Sequence, residues 1–218
     1  MIDLTAVPIG GFSCTWMPQS IKQSWPFCWW VAIVIDHFSR KVIGFAIFYK
    51  QPESEDVISL LNRLIRKVKR KPKYIISDKG SQFHPPASAK EKDNHPYKAW
   101  CKLKKITPRY GAVGKHGSIA IIERFMKSLK NECTRRLILI PYDLDEMRQE
   151  LMLYCTWYNQ FRPHEYLKSK TPQEVYANSP PLKVLDFKHN SEMPDLKLHI
   201  SYLEGRKHLP IVEIKEAA

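Results

Sequence analysis

The sequence predicts an α/β layered domain. Three observations carry this. Three strand-like segments are followed by a helix and then another strand. One of the strands, Trp29-Trp30-Val31-Ala32-Ile33-Val34-Ile35, is an unbroken apolar run. The helix shows its own period, with Val57, Leu60, Leu61, Leu64, Ile65 and Val68 recurring at helical spacing.

The elements follow in order. Ile2 to Val7 alternates as a strand does, and Pro8 with Gly10-Gly11 ends it. Residues 12 to 27 read as a loop or irregular ribbon. The apolar strand at 29–35 and a return strand from Lys41 to Tyr49 flank the turn-like Asp36-His37-Phe38-Ser39-Arg40, which makes a hairpin. The helix after Pro52-Glu53 carries Arg63, Arg66, Lys67, Lys69 and Arg70 on its other face and stops before Pro72. Tyr74-Ile75-Ile76 is a short buried strand that delivers Asp78. Residues 84 to 96 have no apolar period and read as an exposed insertion.

A short helix at 97–105 and a short strand at 106–110 come next. Gly111, Gly114 and Gly117 form a loop around Lys115-His116. Ser118 is the expected N-cap of a helix reaching about Leu137, with Ile119, Ile122, Met126 and Leu129 on one face. Asp143, with Glu146 three residues on, opens a second long helix that runs to Arg162-Pro163. Thr171-Pro172-Gln173-Glu174 starts another. After Pro180 the composition changes, and two alternating segments around Glu204-Gly205 predict a C-terminal β-hairpin. The expected division is a core over 1–179 and an extension over 180–218.

Composition narrows the function classes. The 218 residues suffice for one sizeable core with a small appendage. Lys plus Arg number 35 against 22 acids, a net charge of +13 that favours a polyanionic partner. Nucleic acid is preferred over a membrane surface, because no basic amphipathic helix with an aromatic face is present. The longest apolar run, Cys28 to Ile35, is too short to span a bilayer. No signal peptide is visible, and the five scattered cysteines form no CxxC pair. Reduced thiols in the cytoplasm are therefore expected, without structural zinc.

Three acids stand where chemistry could use them. Asp3 lies inside a strand, although an edge-strand acid facing water is the simpler reading of that position alone. Asp78 follows a strand, where α/β folds place ligand sites, although an Asp-Lys-Gly turn would use it equally well. Glu123 lies in a helix on or beside its apolar face, where burial would require a partner or a metal, although an ordinary solvated helical Glu is the alternative reading. Glu123, Lys127 and Lys130 are spaced i, i+4, i+7 and share one face. That spacing serves an ordinary salt bridge of about a few tenths of a kcal/mol as well as it serves a site.

Five segments give these acids a common context: Asp3-Leu4-Thr5, Asp36 to Arg40, Ile76 to Phe83, His116 to Phe125, and Tyr158 to His164 followed by Thr171 to Glu174. In their order and spacing they resemble the integrase core of retroviral integrases and bacterial insertion-sequence transposases, the DDE enzymes of the ribonuclease H-like fold. The resemblance covers roughly residues 3 to 177. It implies a five-stranded mixed sheet flanked by helices, here with the hairpin appended. It also implies that Asp3, Asp78 and Glu123 bind Mg²⁺ or Mn²⁺, and that Lys127 and Lys130 meet DNA. Lys115 and His116 are further candidate DNA contacts. Asp36 matches a family acid in a strand turn and is read as structural, with a catalytic place only if Asp3 has none.

The implied activity is metal-dependent nicking and strand transfer on element ends and target DNA, by an oligomer assembled on DNA. The interval from Asp78 to Glu123 is longer than the family's compact spacing, through the insertion at 84–96. Relatives carry further sequence ahead of the first acid, so a separately encoded N-terminal DNA-binding half is an expected partner. Two rival readings are a ribonuclease H-like nuclease that cuts without joining, and a truncated, non-catalytic DNA-binding remnant that modulates an intact transposase.

Overall fold

The computed structural model describes residues 1–9, 28–85, 95–111, 119–137, 140–178 and 196–216. Strands β1 (Ile2–Pro8), β2 (Cys28–Ile35) and β3 (Val42–Phe48) form an antiparallel sheet in the order β1-β2-β3. Asp3 pairs with Ile33, and Ile33 with Phe45. After helix α1 (Ser54–Val68) come β4 (Tyr74–Ser77), helix α2 (Pro96–Leu103) and β5 (Thr107–Tyr110). β4 and β5 pair in parallel.

The expected five-stranded mixed sheet does not form one ladder among the described residues: β1, β2 and β3 pair antiparallel, and the parallel pair β4–β5 is separate from them. β4 lies against β1 without hydrogen-bonding to it. The expected loops over 12–27, 84–96 and 111–117 fall largely outside the described residues, as do Ser118, Lys115 and His116.

The alternation of β2 explains the layering. Trp29, Val31, Ile33 and Ile35 point to one face and pack with α3 (Ala120–Leu129) and α4 (Leu144–Gln160) through Ile122, Phe125, Leu129, Met147 and Tyr154. On the other face Ala32 packs with Val57, Leu60, Tyr97 and Trp100 of α1 and α2. With both faces covered, the strand needs no polar side, which is why it reads as an unbroken apolar run. α1 approaches β3 so closely that a methyl group on Gly44 would run into Leu64.

Helix ends follow their caps. The Asp143 carboxylate accepts from the Asp145 and Glu146 backbone N–H groups, and Thr171 and Glu174 close a reciprocal capping box ahead of α5 (Pro172–Ala177). Helix α3 does not run on as α-helix to Leu137. It gives way at Lys130–Thr134 to a π-helical turn. Strands β6 (Leu196–Tyr202) and β7 (Pro210–Glu216) form the expected hairpin, turning through Glu204 and Gly205 at positive φ. Among the described residues no helix is long and apolar enough to cross a membrane. Cys28, Cys101, Cys133 and Cys155 are buried.

Candidate active site

Parity along β1 sets the first acid. Ile2 and Leu4 pack towards α1 and α2, while Val7 packs on the other side. Asp3 therefore shares the sheet face that α3 covers. It is half-buried, and its Oδ1 accepts the Leu4 backbone N–H at 2.8 Å. Asp78 leaves the carboxyl end of β4. Its Oδ1 accepts the Gly80 N–H at 3.1 Å, so the turn geometry and the strand-end position coexist. Glu123 stands in the first turn of α3 and is exposed. That corrects the expectation that it lies against the apolar face at a cost: Ile122 and Phe125 take the buried positions, and Glu123 looks outward.

The three acids share one electrostatic neighbourhood. Burial pushes the Asp3 carboxyl up to about 7; the Leu4 N–H opposes this, the charges of Asp78 and Glu123 add to it, and Lys130 opposes it again. Lys130 is thus drawn to the acids, while Lys127 is exposed one turn earlier on α3. Among the described residues no three His, Cys, Asp or Glu side chains are gathered tightly enough to enclose an ion. Three carboxylates from three elements are the kind of donor set that a hard, oxygen-preferring cation takes.

Asp36 is placed differently. Its Oδ2 accepts both the Ser39 N–H and the Ser39 hydroxyl at 2.8 Å, which closes the β2–β3 turn. That occupancy supports its structural reading.

The tail segment from Tyr158 to His164 contributes groups that pattern reading did not assign. Glu132, in the π-helical turn after α3, receives a forked pair of bonds from Arg162, at 2.7 Å from Nη2 and 3.0 Å from Nε. The Tyr154 hydroxyl donates to the same carboxylate at 3.0 Å. Asn159 accepts the Val42 N–H at 2.8 Å and donates to the Val42 carbonyl at 3.0 Å, clamping the start of β3. The only sequence signal for these roles is the polar density of the segment.

Comparison with known proteins adds the following. A family model described as an integrase core domain matches residues 2–116, and a second with the same description matches residues 104–172. In shape the chain is similar to a simian T-cell lymphotropic virus intasome solved with the PP2A regulatory subunit B56 gamma. That match has a TM-score of 0.53 at 16% identity and covers 99% of this chain and 67% of that one. The catalytic core domain of BIV integrase gives a TM-score of 0.51 at 18% identity, over 81% of this chain and 93% of that one. At such identities the likeness speaks for the fold, the ribonuclease H-like arrangement of these cores. No curated protein matches the chain in sequence.

Proposed function

The chain belongs to the integrase core domain family, and from that premise we propose that it is a polynucleotidyl transferase that nicks DNA and joins the freed end to a target, with Asp3, Asp78 and Glu123 as metal ligands. The observation that carries the reading is the electrostatic coupling of three acids from three separate elements. Asp3 comes from β1, Asp78 from just past β4 and Glu123 from the start of α3, and the charges of the latter two both act on the Asp3 carboxyl.

A bound Mg²⁺ or Mn²⁺ would lower the pKa of an attacking water or 3′-hydroxyl and offset charge on the leaving oxygen. The protein's own residues do the rest. Asp3 lies within β1 and Asp78 just past the end of β4, which packs against β1, so two of the proposed ligands come from neighbouring strands. α3 carries Glu123 at its start and Lys127 one turn on, and Lys130 opens the π-helical turn that follows it, so phosphates lying along this stretch would meet cations next to the acids. Action on element ends and target, assembly as an oligomer on DNA, and a separately encoded N-terminal DNA-binding half belong to the same proposal.

The test is twofold. A labelled duplex and a supercoiled plasmid, incubated with Mg²⁺ or Mn²⁺, should yield nicked and joined products with the wild type. Asp78→Asn and Glu123→Gln should reduce them by at least about 10³-fold. Independently of turnover, either cation should raise the melting temperature of the wild type and of neither variant. Cutting without joining would favour a nuclease. Salt-sensitive DNA binding with neither turnover nor a metal-dependent melting shift would favour a DNA-binding remnant.

A further inference from the structure

The charge of this chain is concentrated at one end of the sheet. Residues 57–77 hold seven cations and no carboxylate, and residues 95–111 hold five cations and no carboxylate. The fold brings these two stretches together. Arg63, Arg66 and Lys67 lie at i, i+3 and i+4 along α1, all exposed. Lys69 at the helix end takes a left-handed conformation that turns the chain, and the exposed Arg70, Lys71 and Lys73 lead into the amino end of β4. β5 starts beside it, where the Thr107 N–H donates to the Lys73 carbonyl at 3.0 Å. Exposed Lys102, Lys104 and Lys105 end α2 and enter β5. Arg109 lies over the half-exposed Tyr74 ring at 3.8 Å, which holds its guanidinium at the surface.

Asp78 lies at the opposite end of β4, about 13 Å away along the strand from Tyr74. The pole is therefore not the rim of the carboxylate site. Helix polarity accounts for only part of it. Cations in the last turns of α1 and α2 complement those helices' dipoles, but the effect fades within one turn and does not reach Lys71, Lys73 or Arg109. Self-repulsion makes an acid-free cluster of this density costly unless a polyanion meets it. A lipid surface fits poorly, because α1 exposes no large apolar side chain and the rest of the pole offers a bilayer a single exposed aliphatic residue, Leu103, beside the half-exposed Tyr74.

We propose that the pole formed by the end of α1, the leading ends of β4 and β5, and the end of α2 binds the phosphate backbone of a DNA duplex, on a surface separate from the three carboxylates. The inference rests on the strand-transfer reading in one respect: joining two DNAs requires holding a duplex besides the one being cut. Contacts are to phosphates, so binding is indifferent to sequence and falls steeply with salt.

The experiment measures anisotropy of a short fluorescent duplex of arbitrary sequence, titrated with the full chain in EDTA over a range of salt. The variant Arg66→Gln/Arg70→Gln/Lys71→Gln, with all three positions on the surface, should melt like the wild type. It should bind at least about tenfold more weakly, with a salt slope shallower by about 2 to 3. A charge-matched control, Lys168→Gln/Lys197→Gln/Lys207→Gln, should bind like the wild type. Equal binding by the pole variant and the wild type overturns the inference while leaving strand transfer to its own nicking and joining test. An equal loss in the charge-matched control overturns it too, because net charge would then suffice. Unchanged DNA binding with lost binding to phosphatidylserine vesicles would replace DNA by a lipid surface.

Discussion

His164 shows how far a single side chain can depend on its surroundings. Burial, with Arg162 and Arg40 nearby, holds its imidazole down to about 4, and its ring packs edge-on against Tyr158 at 4.7 Å. The unfolded chain protonates the same group near its ordinary value of about 6.5. Between those values the unfolded state binds a proton that the native state refuses, so stability rises with pH across that window. His164 therefore contributes stability that is present above about pH 6.5 and lost as pH falls towards 4, on the order of 1–2 kcal/mol after discounting for its partial exposure. Urea unfolding at pH 7 and pH 5 should show this loss in the wild type and less of it in His164→Asn. An identical loss in both would assign the pH dependence to other groups. At this scale the sequence was informative where an acid sat beside a strongly patterned strand, as with Asp3 and Asp78. It was less so for Glu123. Neighbouring helical positions differ by 100° in direction. A residue next to Ile122 can therefore look outward while the pattern alone draws it to the edge of the apolar stripe.

Elements are coupled by pairs far apart in the chain, and the Glu132–Arg162 fork is one such pair. It ties the π-helical turn that continues α3 to the end of α4, so the helix carrying Glu123 is anchored beyond its carboxyl end. π-helical turns leave the regular hydrogen-bond ladder and persist where something else holds them. Here the holders are Arg162 and Tyr154 on one carboxylate. Arg162→Ala should cost about 2–4 kcal/mol, because it strands a half-buried Glu132. Arg162→Lys should recover only part of that, since an ammonium cannot reproduce the two-pronged contact. The Glu132→Gln/Arg162→Ala double variant, compared by urea unfolding with the single variants, measures the coupling. Strict additivity would show that the fork contributes nothing. The helices themselves were legible from their period and their Asp143 and Thr171 caps. The π-helical turn was not, because apolar Leu129 and Cys133 continue a helical pattern that says nothing about one extra residue per turn. Nor could a pairing across thirty positions be read from either segment alone.

On the scale of the whole molecule, the open question is whether the C-terminal hairpin is an appendage or part of the core. Alternation predicted its strands but carried no information about what they rest on. In the structure Leu209 is fully buried with the residues of α3 and α4, and the Trp157 indole donates to the Pro210 carbonyl at 2.7 Å. Arg206 reaches Glu150 on α4 through both Nε, at 2.9 Å, and Nη2, at 2.5 Å. An isolated two-stranded hairpin is marginal in water, so these contacts stabilise the hairpin as well as α4. Removing it would expose the apolar patch under Leu209, orphan the indole N–H, and leave Glu150 without its cation. Taken together these should cost about 3–6 kcal/mol, a large part of an ordinary domain's stability. A chain ended after residue 178 should therefore unfold at a much lower urea concentration than the full chain, and Arg206→Ala should account for part of the difference. The slope of the transition distinguishes two ways the prediction could fail. An unchanged midpoint with a smaller slope would mean that the hairpin unfolds on its own before the core. An unchanged midpoint and slope would mean that α4 closes over the exposed surface without it, making the hairpin an independent unit.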